Sequence, residues 1–212
     1  IVQYAADSIY IIVSNPVDIL TYQFCKYSGL PENQIIGSGT ILDTARLRTR
    51  LSEYFNISQQ NVHAYVFGEH GDTSFVPWSC ATISNIAIDK YTQCLRDGDD
   101  TLRPVLDHDE IETYIKKSGA KIIARKGATF YAVAISVCHI CRCIFSGADT
   151  TMTVSTMMHG EYGVSDVCLS TLALVDRNGV RGKILNHLTD SEIDLLRISA
   201  DKLKDVIRQI NI

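Results

Sequence analysis

The chain has 212 residues, 46% of them apolar and 21% charged, which is an ordinary globular profile with enough length to bury a core. Its net charge of −4, with no block of lysine and arginine, argues against nucleic acid or an anionic membrane as partner. Seven scattered cysteines, an odd number, argue against a disulfide framework and fit a reducing, cytoplasmic compartment.

The chain opens at Ile1 with no methionine and no basic-then-apolar signal segment, which suggests that a piece lies upstream. Asp7–Asn15 contains the continuous apolar run of a strand buried on both faces. Asn15-Pro16-Val17-Asp18 ends it, because proline cannot join a ladder. No second long strand of this kind with a crossover helix is evident. The strand either runs antiparallel beneath helices or, the favoured reading, belongs to a sheet whose other members are absent. Leu20–Tyr27 is expected as a helix closed by Gly29, with Pro31 beyond it. In Ile35–Thr40 the Gly37-Ser38-Gly39 sequence resembles a phosphate loop, but Leu42 stands where the third glycine would be needed. It is read as a plain turn.

Thr40 and Asp43 have the spacing of a capping box, opening a helix that runs to about Phe55 with Leu47, Leu51, Tyr54 and Phe55 as its apolar stripe. Asp43 and Arg46, three apart, share one face. By themselves they read as a cap and a surface ion pair. Asn61–Phe67 alternates as a strand and leads into Gly68-Glu69-His70-Gly71-Asp72-Thr73. His70 therefore falls in a tight turn between glycines. Imidazole both gives and takes a proton near neutrality, so His70 is either a surface turn residue or an acid/base group. Val76–Ile86 is a second apolar segment, and Gln93–Asp109 a surface loop.

Glu110–Arg125 is expected as an amphipathic helix, with Ile111, Tyr114, Ile115, Ile122 and Ile123 on its apolar side. Gly127 should kink or break it. Thr129–Phe145 then resumes as a helix apolar all round, the expected buried core helix. The longest apolar stretch, Ala128–Phe145, contains Thr129, Ser136, His139 and Arg142 and is not read as a membrane span. Cys138, His139, Cys141 and Cys143 lack a second ligand pair at zinc-site spacing, so no metal site is assigned and the cysteines are read as core. Thr151–Met158 and Val167–Val175 alternate as strands, and Asn178-Gly179 signals a hairpin into Val180–Leu185. Thr189 and Glu192 form a capping box for a last helix with the stripe Ile193, Leu196, Ala200, Leu203, Ile207 and Ile210.

Asn15-Pro16-Val17-Asp18, Leu42-Asp43-Thr44-Ala45-Arg46, Gly68-Glu69-His70-Gly71-Asp72-Thr73 and Lys126-Gly127-Ala128-Thr129 occur together in order. In this the chain resembles the C-terminal portion of the bacterial L-lactate dehydrogenases, within the lactate/malate dehydrogenase family. The resemblance implies an α/β (α+β) fold: a remnant of the nucleotide-binding Rossmann domain over 1–37, and a catalytic domain over 38–212 with helices packed on antiparallel strands. It implies NADH-dependent reduction of pyruvate to L-lactate, with the glycine-rich half of the NAD site and a mobile substrate loop lying before Ile1.

By the same resemblance His70 is the proton donor, Asp43 its carboxylate partner and Arg46 the anchor of the substrate carboxylate. Asn15 helps place substrate and cofactor. Thr129 lines the side-chain pocket and favours lactate over malate. Arg48 and His63 match a subunit-interface site for fructose 1,6-bisphosphate; they read equally as a solvated arginine and a strand histidine. A cytoplasmic homotetramer is implied. The 212 residues alone are expected to show no turnover. The rival readings are an inactive structural or oligomerisation domain, and a related malate or 2-hydroxyacid dehydrogenase.

Overall fold

The computed structural model describes residues 1–94 and 106–210. Its larger sheet draws strands from both ends of the chain. β1 (Tyr10–Ile12) and β2 (Ile35–Gly37) run parallel, Tyr10 opposite Ile35, with α1 (Val17–Tyr27) crossing between them. β2 then pairs antiparallel with β6 (Thr150–His159) through Gly37 and Ser155. β7 (Ser165–Asp176) and β8 (Gly179–Lys183) complete the order β1-β2-β6-β7-β8. α2 (Ile41–Phe55) leaves the end of β2. A small sheet of β3 (Val62–His63), β4 (Thr82–Ile83) and β5 (Ile86–Ala87) follows. α3 (Tyr91–Cys94), α4 (His108–Lys126), α5 (Tyr131–Ser146) and α6 (Asp190–Gln209) are the remaining α-helices among the described residues. The expected mixed α/β architecture is present.

The opening strand departs from expectation. Only Tyr10–Ile12 is strand, it is half-buried rather than buried on both faces, and it has a partner within the chain. That partner is Ile35–Gly37, read from sequence as part of a turn. Three residues are too few for a periodicity to show, and only the crossover by α1 reveals the pairing. Nor is Gly37-Ser38-Gly39 a plain turn. A Cβ on Gly37 would lie 2.8 Å from the Ser155 Cβ and would also strike the Thr21 hydroxyl. Gly39 has φ +47°, and its Cβ would lie 2.7 Å from the Ser155 nitrogen. These glycines let α1 and β6 close on β2.

Asn61–Phe67 is not one strand. Val62 and His63 pair with β4, whereas Phe67 bridges Phe75 and Gly68 bridges Ser170 of β7. The segment thus leaves one sheet and joins the other. Val76–Ile86 resolves into a 3-10 turn at Trp78–Cys80, then β4 and the first residue of β5. Of the expected loop Gln93–Asp109, the first residues end α3 and the last begin α4. Residues 95–105 lie outside the described residues.

α5 is the clearest correction. Ser136, Ile140, Cys143 and Ile144 are buried, but Tyr131, Ile135 and Phe145 are 70%, 71% and 87% exposed. A helix apolar all round is covered on both faces only if something lies on each, and this chain covers one. Cys138 is accordingly exposed and Cys141 half-buried, so the reading as core holds for Cys143 alone. Among the described residues no group of three metal-ligating side chains occurs, and no helix is long and apolar enough to cross a membrane.

The C-terminal half follows its patterns. Asp176 and Gly179 close the β7–β8 hairpin. The Thr189–Glu192 capping box is formed in both directions. Leu196, Ala200, Leu203 and Ile207 of α6 are buried with Phe67, Phe75 and Leu169, each large side chain contributing roughly 1.5–3 kcal/mol. At the ends of the stripe Ile193 is half-buried and Ile210 is 44% exposed. Leu47, Leu51 and Phe55 of α2 pack instead on Ile111 and Ile115 of α4.

Candidate active site

The start of α2 is held differently from a capping box. Thr40 stands at the N-cap, but its side chain makes no capping bond. Its hydroxyl donates to the Val66 carbonyl, and its backbone N–H donates to Ser170 Oγ at 3.0 Å. One turn on, Thr44 Oγ1 accepts from the Val66 N–H at 3.0 Å and is hydrogen-bonded to Thr153 Oγ1 at 2.8 Å. The first turn of α2 is thereby clamped to the segment entering the His70 turn. Asp43 is released from capping and faces the imidazole.

The His70 turn is pinned on every side. Phe67 and Phe75 exchange backbone hydrogen bonds at 2.9 and 3.0 Å, and Gly68 and Ser170 do so at 2.9 and 3.0 Å. Gly68 has φ +93°, which favours glycine. The Glu69 N–H donates to Ser199 Oγ of α6 at 2.7 Å. Glu69 Oε1 accepts from the Thr73 N–H at 3.0 Å and pairs with Lys202 at 3.1 Å. The His70 N–H donates to Asp18 Oδ2 at 2.7 Å. β7, α6 and α1 therefore fix the turn that carries the imidazole.

His70 Nδ1 lies 2.6 Å from Asp43 Oδ2, and Arg46 Nη1 donates to Asp43 Oδ1 at 3.1 Å. One carboxylate serves both partners, one oxygen each. The bond from Asp43 raises the imidazole pKa above its ordinary value. Burial and the Arg46 charge oppose the rise, while the charge on Asp18 adds to it. With Nδ1 committed to Asp43, Nε2 is left for a ligand. Asn15, Asp43, Arg46, His70 and Thr129 line one cavity of about 270 Å³. Val13 and Ser38, beyond the ends of β1 and β2, also line it. Lys116, Gly119, Ala120 and Ile123 of α4 and Val133 and Ser136 of α5 line it as well. Such a cavity can hold a carboxylate on a guanidinium and exchange a proton with the neighbouring atom.

Arg48 and His63 lie elsewhere. Arg48 Nε donates to the Ala64 carbonyl at 3.1 Å, its guanidinium stands 4.8 Å from the Tyr65 ring centroid, and His63 is exposed on β3 next to Ala64. Neither lines the cavity.

Asp18 went unassigned in the sequence, although it closes the Asn15-Pro16-Val17-Asp18 motif. Only 3% of it is exposed. Burial pushes its pKa up to about 6, opposed first by the Ser155 hydroxyl and then by the His70 N–H and imidazole. Oδ1 nonetheless has no hydrogen-bond partner of good geometry. An aspartate directly after Pro-Val at a helix start reads as a first-turn acid, and nothing local marks it as buried. The cavity faces of α4 and α5 also went unassigned, because both stripes satisfied a packing explanation.

A parallel β-α-β unit is thus joined to an antiparallel sheet, with a carboxylate–imidazole pair beside a guanidinium in one cavity. A sequence model of the lactate/malate dehydrogenase α/β C-terminal domain matches residues 40–211, and one of the NAD binding domain matches residues 1–37. The chain belongs to the lactate/malate dehydrogenase family. It is 45% identical to the L-lactate dehydrogenase of Acetivibrio thermocellus, covering 100% of this chain and 66% of that one. It is 44% identical to that of Thermoanaerobacterium saccharolyticum, covering 100% of this chain and 67% of that one. Among solved structures, an L-lactate dehydrogenase from Clostridium thermocellum superposes with a TM-score of 0.85 at 39% identity, over 94% of this chain and 64% of the other. A lactate dehydrogenase from a Medee basin deep-sea metagenome library gives 0.88 at 34% identity, over 96% and 64%. The chain thus spans about two thirds of the length of the relatives it matches.

Proposed function

We propose that this chain carries the catalytic half of an NAD-dependent L-lactate dehydrogenase, interconverting pyruvate and L-lactate. The single observation behind the reading is the 2.6 Å bond between Asp43 and His70 beside Arg46, inside one small cavity. Arg46 holds the substrate carboxylate with parallel hydrogen bonds and sets its orientation. The ketone oxygen then faces His70 Nε2, while Asp43 keeps Nδ1 protonated and stabilises the imidazolium. Asn15 offers amide donor and acceptor within the cavity, and Thr129 lines it where the substrate side chain would lie.

Val13 and Asn15 belong to the part matched by the NAD-binding model, and the Asn15 amide, with Ser38 in the same cavity, suits a nicotinamide carboxamide. When bound, the reduced nicotinamide supplies a hydride to the ketone carbon. His70 gives its proton to the oxygen, and takes it back when lactate is oxidised. The test is NADH oxidation with pyruvate by the gene product that contains this chain, beside His70→Asn. Activity surviving that substitution within ten-fold would refute the assignment, since a positioned acid/base contributes about 10²–10⁴.

Two readings go with it. Residues 1–37 belong to the nucleotide-binding domain and 38–212 to the catalytic domain. These 212 residues contain no Gly-x-Gly-x-x-Gly sequence, so by themselves they are expected to show no turnover. The exposed Tyr131, Ile135 and Phe145 of α5 favour burial against further copies in a homo-oligomer. Arg48 and His63 bind a sugar bisphosphate at such an interface; unchanged activation after His63→Gln would remove this site.

A further inference from the structure

Cys25 and Cys168 meet between α1 and β7, and the chemistry at His70 uses neither. Asp18, Tyr22 and Cys25 follow the i, i+4, i+7 spacing of one face of α1. At one end of that face Asp18 accepts the His70 N–H at 2.7 Å. At the other end Tyr22 donates to Asp166 Oδ1 of β7 at 3.2 Å, and Lys26 pairs with the same oxygen at 2.5 Å. Two residues further along β7, Cys168 is hydrogen-bonded to Cys25. Both are free thiols and pack into one apolar cluster, Cys168 wholly buried and Cys25 half-buried.

The two sulfurs are not equivalent. The hydrogen bond from Cys168 pulls the Cys25 thiol below its ordinary pKa, and Lys26 adds to this, against burial and the charge of Glu32. Burial first, then the bond to Cys25 and its charge, push Cys168 well above its own. Cys25 is thus the nucleophile of the pair and Cys168 the proton donor. Cys25 is also the one that solvent reaches. A low-pKa, partly exposed thiol touching a second cysteine is the arrangement in which an oxidised sulfur is trapped as a disulfide before it is oxidised further.

We propose that Cys25 reacts with hydroperoxides and Cys168 resolves it, giving a reversible disulfide that joins α1 to β7 and slows turnover. The Cys25 sulfur attacks one peroxide oxygen and the O–O bond breaks. The other oxygen leaves as alcohol or water with a proton from solvent, and Cys25 becomes a sulfenic acid. That group is uncharged, so it no longer opposes ionisation of Cys168. The Cys168 sulfur then displaces hydroxide from the Cys25 sulfur, and the hydroxide takes the Cys168 proton and leaves as water. The two thiols have given up two electrons and the peroxide has gained them. A dithiol reverses the bond by exchange. Sulfurs in hydrogen-bond contact close to about 2.05 Å in the disulfide, so α1 and β7 are drawn together. α1 carries Asp18 on the His70 N–H, and β7 carries Ser170 on Gly68 and Thr40, so the shift reaches the His70 turn. A displacement of about 1 Å costs about 10²-fold in rate. The effect on turnover rests on the dehydrogenase reading above; the disulfide does not.

The experiment exposes the gene product that contains this chain, fully reduced, to equimolar hydrogen peroxide, beside its Cys25→Ser and Cys168→Ala variants. Peptide mass mapping and NADH oxidation with pyruvate are read before oxidation, after it, and after dithiothreitol. The parent should yield a cross-linked Cys25–Cys168 peptide lighter by two hydrogen atoms and lose activity by about ten-fold or more, and dithiothreitol should restore both. Cys25→Ser should match the parent before oxidation and keep its activity through it. Cys168→Ala should instead hold Cys25 as sulfenic or sulfinic acid; if it does not fold, Cys25→Ser and the peptide map still decide the matter. Absence of the cross-linked peptide, or equal loss of activity in Cys25→Ser, overturns the proposal. A cross-link without loss of activity overturns the link to the His70 turn. A parent with no turnover before oxidation overturns the dehydrogenase reading, while the peptide map still decides the thiol pair.

Discussion

Asp18→Asn should stabilise this protein, and more so as the pH rises. Asp18 is almost wholly buried, accepts the His70 N–H at 2.7 Å, and has its pKa raised from 3.8 to about 6 chiefly by burial. The folded state therefore prefers the protonated carboxyl. Its contribution is fully present below the unfolded value and is lost as the pH climbs through about 6. At ~1.4 kcal/mol per pH unit, that is about 3 kcal/mol lost by about pH 8. Asparagine keeps an acceptor for the His70 N–H, offers an amide donor towards Ser155, and carries no charge to bury. The variant should be more stable by up to ~3 kcal/mol at about pH 8, some 6–12 °C in the unfolding midpoint at this chain length. The gap should close at about pH 4, where both side chains are neutral. Urea unfolding of parent and variant across that range isolates the effect, because every other titrating group is common to both. A variant no more stable at the upper pH, or a gap of equal size at both ends, would show that Asp18 is not the strained carboxylate described here.

Asp43→Asn removes the main support of the raised His70 pKa, so pyruvate reduction should fall off at lower pH than in the parent and slow by ~10²–10⁴; an unshifted pH profile speaks against the pair. Gly37→Ala drives a methyl against Thr21 and Ser155 and should lower stability by about 1–3 kcal/mol in urea titration; an unchanged midpoint would mean that α1 and β6 do not close on β2 as described. Thr189→Ala breaks the reciprocal cap of α6 and should cost about 1 kcal/mol by thermal unfolding.

Much of the candidate site was legible locally. His70 between glycines, and Asp43 three residues before Arg46 on one helix, are short-range patterns with short-range causes. The Thr189–Glu192 cap and the Asn178-Gly179 turn were legible for the same reason: each is closed by atoms only a few residues apart. Other features had no local signature. The parallel partner of β1 lies beyond a whole helix, and the strand read as Asn61–Phe67 divides between two sheets because Gly68 meets Ser170 about a hundred residues on.

The sequence by itself determined which side chains carry charge, which helices start and stop where, and which motifs travel together, because propensity, capping and spacing act within a few residues. Only the tertiary structure decided that Thr40 bonds to Val66 and so frees Asp43 for His70, that Asp18 is buried beneath the turn, and that α5 keeps one face bare. Burial and hydrogen-bond choice are settled by whatever segment packs opposite, and that segment lies far away along the chain.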